Sequence, residues 1–158
     1  MAAQDRFQLA QVNVAHARAA LDSPEMAEFA ALLEGVNRLA DEAPGFVWRL
    51  KGGGFDNAIE IRAYDDPRII FNLSVWDDVE ALKAYTYRSD HGAAFRRRKD
   101  WFLPGTQATY ALWWVPAGEV PTVEEAKARL EHLRAHGETQ RAFSFRRPFP
   151  APSSVPQQ

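Results

Sequence analysis

Residues 68–82 read RIIFNLSVWDDVEAL, and this stretch gives the clearest indication of the fold class. Its first part, residues 68–76, is mostly β-branched or aromatic, which predicts a strand that ends at Trp76. A helix follows at once, because Asp77 or Asp78 can cap its first turn and Glu80 stands where a capping box needs it. A strand that leads directly into a capped helix indicates a domain that mixes both element types.

Three further strands are predicted outside this stretch. Residues 7–14 alternate apolar and polar side chains, as in a strand with one buried face. Residues 46–50 follow a Pro-Gly helix stop, and residues 109–115 are again rich in aromatic and apolar side chains. Residues 143–145 are a candidate for a short additional edge strand.

Three helical segments separate or follow the strands. The first begins at Ser23, with Pro24 at its first position. The second is expected to break near its middle and to form two short helices, 78–87 and 90–102. The third opens with a Thr-x-x-Glu capping box and covers residues 122–135.

The predicted order is β-α-β-β-α-β followed by an extra C-terminal helix. That order is the split βαβ arrangement of a ferredoxin-like α+β domain, whose antiparallel sheet carries helices on one face. Trp113 and Trp114 are adjacent on the last strand, so one indole should point to each face. A large apolar side chain left in water costs about 1.5–3 kcal/mol. We therefore predict a homodimer in which two sheets pack face to face about a two-fold axis.

Composition excludes several classes of protein. The formal net charge of −2 gives no basic surface for nucleic acid, and the absence of cysteine excludes disulfides and thiol catalysis. No signal peptide is visible, and the apolar runs are too short to span a bilayer. We expect a cytoplasmic protein with one domain over residues 1–147 and a disordered Pro-rich tail over residues 148–158.

Two segments of the chain resemble a known group of proteins. SVWDDVEAL (74–82) followed by YRSDHGAAF (87–95) resembles the antibiotic-biosynthesis-monooxygenase-like proteins of the dimeric α/β-barrel superfamily. The wider pattern over residues 7–146, which includes RRKDWF and LWWVPAGEVPTVEEAKARLEHL, is similar to one bacterial domain-of-unknown-function family in that superfamily. The resemblance implies a dimeric α/β barrel. It implies no single reaction, because the superfamily includes cofactor-independent monooxygenases, haem-degrading enzymes, haem-binding proteins and polyketide cyclases.

Asn72 and Trp76 are the first candidate pair for a substrate pocket. They are four residues apart on one strand, so their side chains share a face of the sheet. The resemblance to cofactor-independent monooxygenases implies that Asn72 hydrogen-bonds the substrate and that Trp76 packs on its aromatic rings. The alternative is that Trp76 is a core aromatic and that Asn72 bonds to a neighbouring backbone group.

His91 is the candidate proton-transfer residue, because the ordinary pKa of an imidazole lies near neutrality. The resemblance to the haem-degrading branch implies another role for it, as an iron ligand beside Asn13 and Trp76. The interval between Trp76 and His91 is longer here than in those enzymes. We expect no cofactor in the first instance, with haem as the alternative.

A basic run, Arg96 to Lys99, lies among aromatic residues. Residues three and four apart share a helix face, so Arg98 should stack on Trp101 and Phe102, and Arg96 or Arg98 turned inward could hold an acidic or enolate ligand. The alternative is a solvated helix face whose aliphatic stems cover the aromatic rings. Tyr85 and Tyr87 precede the expected helix break and are candidate hydrogen-bond donors to a substrate.

Three further features are weaker signals of a functional site. Arg49, on the second strand, is a candidate ligand clamp. His132 and His136 have the spacing of a zinc pair, but the Glu of HExxH and a third ligand are missing, so they are expected to be surface residues. The glycine-rich stretch 51–66 lacks a phosphate-loop pattern and is expected to form a flap or irregular hairpin.

The sequence therefore predicts a small-molecule enzyme that resembles cofactor-independent monooxygenases, or a cyclase or isomerase, with an aromatic or polyketide-like substrate. The first alternative is a haem- or small-ligand-binding protein with little or no catalysis. The second is a dimeric protein whose aromatic cluster serves only as core.

Overall fold

The computed structural model describes residues 6–19, 23–50, 68–87, 101–103 and 109–152. Its strands are β1 (Phe7–His16), β2 (Phe46–Arg49), β3 (Ile69–Trp76) and β4 (Tyr110–Pro116), and its helices are α1 (Ala27–Glu42), α2 (Val79–Thr86) and α3 (Val123–His136). A short 3-10 turn, Pro24–Met26, precedes α1. The predicted helix 90–102 lies almost entirely outside the described residues, as does the glycine-rich stretch 51–66.

The four strands form one antiparallel sheet in the order β2-β3-β1-β4. β1 and β3 are neighbours at the centre, so each βαβ unit is split by a strand of the other unit, as in a ferredoxin-like domain. β1 pairs with both neighbours in unbroken register. The predicted α+β class and ferredoxin-like topology with an extra C-terminal helix are confirmed.

Local capping explains where two of the helices begin. The Asp78 carboxylate accepts a hydrogen bond from the Ala81 N–H at 2.8 Å, and the Thr122 hydroxyl accepts one from the Glu125 N–H at 3.0 Å. Ser23 makes no side-chain capping bond, and the α-helix proper begins at Ala27, after the 3-10 turn. The described residues contain no helix with the length and apolar character needed to cross a bilayer.

One face of the sheet, the α3 face, packs against α3. The buried side chains of this core come from both the sheet and the helix. On the strands they are Ala10, Val12, Phe71, Leu73, Val75, Ala111, Trp113 and Val115, and on α3 they are Ala126, Leu130 and Leu133. The expectation that helices cover only one face is wrong, because the extra C-terminal helix crosses the other one. Trp113 is 0% exposed within a single chain, so its burial does not require a second copy. The homodimer was predicted because one face of the sheet was expected to lack a covering helix. Since α3 covers that face, this reason no longer holds, and the homodimer stays a prediction.

The opposite face, the α1–α2 face, packs against the end of α1 and against α2. Leu9, Trp76 and Leu112 on the strands meet Ala40 and Leu82 on these helices. Trp114 points to this face while Trp113 points to the other, as alternation predicts. The α1–α2 face therefore carries its own apolar core beside β4 and at the Trp76 end of β3.

Residues 138–152 form a C-terminal segment beside β4. Phe143 pairs with Leu112 through two backbone hydrogen bonds of 2.8 and 2.9 Å, so the candidate edge strand at 143–145 is a single bridge. The predicted disordered tail begins at residue 148, yet the Trp114 indole donates a hydrogen bond to the Phe149 carbonyl at 2.9 Å. Phe149 also lies 5.8 Å from Phe143, ring centre to ring centre.

Gly45 forms the turn between α1 and β2, and two facts require glycine there. Its φ is +84°, in the left-handed region, and a Cβ at this position would overlap the Ala81 side chain of α2. The Gly45 carbonyl accepts the Asp77 N–H at 2.7 Å. The turn therefore sets how closely α2 approaches the sheet.

Gly45→Ala should lower the free energy of unfolding by about 2–5 kcal/mol, since it adds left-handed strain to an overlap with α2. Gly118→Ala is the matched control, because Gly118 has φ +91° but nothing within 4 Å of its added Cβ. The control should lose only about 1–2 kcal/mol. Urea unfolding measures both, and equal losses would contradict the packing argument.

Candidate functional site

A row of polar side chains lies in the middle of the α1–α2 face. We call it the amide ladder, and it consists of Gln11 and Asn13 on β1 with Asn72 and Ser74 on β3. Gln11 is directly opposite Ser74, and Asn13 is directly opposite Asn72, in the β1–β3 register. Because side chains alternate along a strand, all four share one face of the sheet.

Side-chain hydrogen bonds join the ladder across the two strands. Gln11 Nε2 donates to Asn72 Oδ1 at 2.8 Å and to Ser74 Oγ at 2.9 Å. Asn13 Nδ2 donates to Gln11 Oε1 at 3.0 Å and lies 3.4 Å from Asn72 Oδ1. Asn72 therefore bonds to side chains of the neighbouring strand. The alternative prediction, a hydrogen bond from Asn72 to a neighbouring backbone group, is not what the structure shows.

The ladder runs from the interior of the protein to its surface. Gln11 is 7% exposed and Ser74 is 6% exposed, whereas Asn72 is half-buried and Asn13 is exposed. Polar groups of this kind are stable in an apolar setting only when they are hydrogen-bonded. The bonded network thus brings the Asn13 and Asn72 carboxamides to an accessible position with their orientation fixed.

Trp76 closes the buried end of the ladder. Its indole N–H donates to Ser74 Oγ at 2.9 Å, and the side chain is 1% exposed. Its ring stacks on Tyr85 at 5.0 Å between ring centres and meets the Phe46 ring edge-on at 5.3 Å. A substrate ring could reach Trp76 only by displacing one of these neighbours, so the predicted stacking role stays a prediction.

Trp101 belongs to a separate aromatic cluster near the opposite end of β1. It is 2% exposed and packs with Ala17, Met26 and Phe29, whose ring centre is 5.5 Å from the indole. Ile70 on β3 also packs against this cluster, six residues before Trp76, which is about 20 Å along a strand. The two tryptophans do not form one site. They lie at opposite ends of the strand pair that carries the ladder.

The C-terminal segment forms the β4 side of this face. Tyr110 is opposite Asn13 in the β1–β4 register, and its hydroxyl oxygen accepts the Phe145 N–H at 3.0 Å. Tyr87 is 67% exposed, with its ring centre 6.3 Å from that of Phe145. Of the two predicted tyrosines, Tyr85 is therefore buried against Trp76 and Tyr87 lies on the surface near the C-terminal segment.

An internal hydrogen bond joins Ser144 to Glu138 within the C-terminal segment. The Ser144 hydroxyl donates to Glu138 Oε2 at 2.8 Å, and Ser144 is buried. This hydrogen bond, followed by the backbone N–H of Glu138 and the nearby Arg146 and Arg147, lowers the pKa of the Glu138 carboxyl below its usual value of 4.5.

Arg49 faces α1 instead of a ligand site. Its Nε and Nη2 donate to the two carboxylate oxygens of Asp41 at 2.7 and 3.1 Å, and its side chain is buried. This bidentate pair joins β2 to the end of α1. The geometry favours a structural role for Arg49 over a ligand clamp.

The His132 and His136 rings lie 4.6 Å apart on α3, and His132 Nε2 is 2.9 Å from the Thr139 hydroxyl. Burial, then the charges of His136, Arg141 and Arg129, lower the pKa of His132 below 6.5. Within the described part of the chain, no three His, Cys, Asp or Glu side chains are grouped to hold a metal ion.

A groove of about 450 Å³ lies elsewhere, between the Pro44-Gly45 turn and α2. Asp77, Asp78 and Glu80 give it an acidic rim. An acidic rim repels the enolate or phenolate that the predicted chemistry would produce, so we place the candidate site at the ladder.

The structure adds three residues that sequence reasoning missed: Gln11, Ser74 and Tyr110. Gln11 and Asn13 are two apart in a strand whose alternation was recognised, which was a usable signal. Their partners on β3 and β4 became visible only with the strand register. His91, Arg96 and Arg98 lie outside the described residues, and their roles stay predictions.

Comparison with known proteins places the chain in a family and finds similar solved structures. The model of a family described as a domain of unknown function (DUF3291) matches residues 8–158. No curated protein matches the chain.

Several solved structures are similar to most of this chain. SnoaB, a cofactor-independent oxygenase from Streptomyces nogalater, has 16% identity and a TM-score of 0.47 over 73% of this chain and 98% of its own. NE2512, a protein of unknown function from Nitrosomonas europaea, has 16% identity and a TM-score of 0.48 over 75% and 98%. PA3566 from Pseudomonas aeruginosa has 11% identity and a TM-score of 0.47 over 73% and 98%.

Acid should weaken the fold through Glu138. Its pKa is lower in the folded chain than in the unfolded one, so its stabilising contribution is complete above pH 4.5 and is lost as the pH falls through the folded value. Glu138→Gln should therefore show a smaller loss of unfolding free energy between pH 6 and pH 3 than the wild type. Ser144→Ala should reproduce that flattening, because it removes the main cause of the shift. An unchanged pH dependence in both variants would contradict this assignment.

Proposed function

The chain belongs to the DUF3291 family, and we propose that it is an enzyme that binds a small aromatic or polyketide-like molecule over the amide ladder. One observation carries the proposal. The carboxamides of Asn13 and Asn72 are held by a partly buried hydrogen-bond network and reach the accessible part of a face whose two ends are aromatic. A flat apolar ligand with oxygen substituents fits such a surface, because it can contact apolar walls and bond to the amides at once.

Asn72 is the residue that we assign to the substrate oxygen. It is half-buried, where a hydrogen bond is stronger than in open water. A carboxamide N–H can stabilise negative charge as it develops on a carbonyl or phenol oxygen, without a buried formal charge of its own. Asn13, beside it on β1, turns its Nδ2 group toward Gln11 Oε1 and Asn72 Oδ1 and so supports this orientation of Asn72.

The reaction that best uses these parts is a monooxygenation without a cofactor. Removal of a proton from a CH₂ group that is conjugated with a carbonyl, as it is through the aromatic rings of an anthrone, gives a carbanion whose charge spreads to the oxygen held by Asn72. The carbanion combines with dioxygen to give a hydroperoxide after protonation, and loss of water leaves a new carbonyl. The substrate is the reductant, and the two atoms of dioxygen end in the product and in water.

His91 is the residue that we assign to proton transfer, and Arg96 or Arg98 would stabilise the anion. These assignments rest on the family resemblance. A cyclisation or isomerisation would use the same enolate, the same amides and the same base without dioxygen.

A haem-binding protein is the alternative function. It would use Asn13, Trp76 and His91 together, but Trp76 is fully buried between Tyr85 and Phe46. The described members of that trio therefore do not form an open haem face. The haem function is therefore less well supported than substrate binding over the amide ladder.

We also propose that the chain is a homodimer, which the family resemblance supports. The apolar side chains of the α3 face are already buried in one chain, so the contact between copies would lie elsewhere. Light scattering should give twice the 17.8 kDa mass of one chain. A mass of one chain at micromolar concentration would refute the homodimer.

Purified protein should consume oxygen with 1,8-dihydroxyanthrone above the uncatalysed rate and form the corresponding quinone. Asn72→Ala should lower kcat/KM by about 10²–10³, the usual cost of removing one donor to a developing oxyanion. Gln8→Ala is the matched control, since alternation places this carboxamide of β1 on the opposite face, and it should keep the wild-type rate.

The proposed reaction is refuted if the wild type does not exceed the uncatalysed rate, or if both variants lose activity equally. A Soret band that appears with added haemin and disappears in His91→Ala would support the haem alternative instead.

A further inference from the structure

We infer that Gln11 is a positioning residue that makes Asn72 present hydrogen-bond donors to the ligand, so that the site selects ligands by their acceptor oxygens. This inference rests on the proposed function, because it concerns the same site. It assigns a role to a buried side chain that does not itself reach the ligand.

The direction of the hydrogen bonds can be followed from the buried end. The indole N–H of Trp76 can only donate, so Ser74 Oγ must accept from it. Gln11 Nε2 donates to the same oxygen at 2.9 Å. Both acceptor positions of the Ser74 hydroxyl are then occupied, and Gln11 has its NH₂ group turned toward β3.

The orientation of Gln11 fixes that of Asn72. The second N–H of Gln11 donates to Asn72 Oδ1 at 2.8 Å, and Asn13 Nδ2 approaches the same oxygen at 3.4 Å. With its oxygen engaged by these neighbours, Asn72 directs its Nδ2 group away from them. Among the residues that the structure describes between positions 6 and 152, none accepts a hydrogen bond from Asn72 Nδ2.

This geometry has a chemical consequence. A ligand at Asn72 meets two N–H groups and no lone pair, so carbonyl, phenolate and enolate oxygens are favoured and N–H donors are disfavoured. A buried carboxamide turned the other way would give the opposite selectivity with the same shape. Gln11 therefore controls specificity through Asn72.

Gln11→Glu reverses the polarity with little change of shape. An ionised carboxylate can only accept, so Asn72 must turn its Nδ2 inward and expose its oxygen to the ligand. Gln8→Glu is the matched control, because it adds the same charge to the same strand on the opposite face.

The probes are two neutral planar tricyclic ligands of similar size, 9-fluorenone, which only accepts, and carbazole, which donates its N–H. Isothermal titration should give the wild type a preference of about tenfold for fluorenone, as expected for one well-placed hydrogen bond. Gln11→Glu should abolish or reverse that preference at pH 8. Acidification that protonates the new carboxyl should restore part of it, because the carboxylic acid regains a donor.

The outcomes separate this inference from the proposed function. If the wild type binds both ligands without preference, or if Gln11→Glu keeps the wild-type preference, the inference is refuted and the binding site remains. If the wild type binds neither ligand, the proposed function is refuted and the inference falls with it.

A measurement on the wild type alone covers the case in which Gln11→Glu does not fold. Side-chain amide exchange by NMR should show protected Gln11 Nε2 protons and rapidly exchanging Asn72 Nδ2 protons in the ligand-free protein. The reverse pattern would show that Asn72 presents its oxygen, which would overturn the inference.

Discussion

The register of β1 between β3 and β4 determines which side chains enter the apolar core and which form the amide ladder. Because side chains alternate, this one register sends Ala10 and Val12 into the α3 core and sends Gln11 and Asn13 to the α1–α2 face. A slip by one residue would exchange the two sets. Each carboxamide that became buried without a hydrogen-bond partner would destabilise the fold by about 1–3 kcal/mol. The apolar core and the amide ladder therefore favour the same strand pairing.

The amide ladder lies between two apolar clusters on the α1–α2 face. Trp76 and its neighbours pack tightly at one end, and the Trp101 cluster packs at the other. Apolar residues at positions 11 and 74 would have extended either cluster without any need for hydrogen bonds. The chain instead holds four polar side chains in a bonded network that becomes accessible at Asn13 and Asn72, which is the pre-organisation that a binding site needs.

Local signals in the sequence predict the element order, a cap at Asp77 or Asp78, the Thr122 cap and the split topology, because caps and alternation act over a few residues. They did not predict where α3 packs, since its buried stripe of Ala126, Leu130 and Leu133 does not specify the face that it covers. The spacing between Trp76 and Asn72 leaves two interpretations of Trp76 open, a ligand contact and a core aromatic. Its contacts with Tyr85 and Phe46 arise from helix packing and from the pairing of distant strands, which spacing cannot show.

A crystal structure of the protein with 1,8-dihydroxyanthraquinone, a stable product of the proposed reaction, would show where the ligand binds. We expect the ligand on the α1–α2 face between the Trp76 and Trp101 clusters, with one oxygen about 2.7–3.2 Å from Asn72 Nδ2. A ligand bound on the α3 face or in the acidic groove beside α2, with Asn13 and Asn72 left in water, would contradict this expectation.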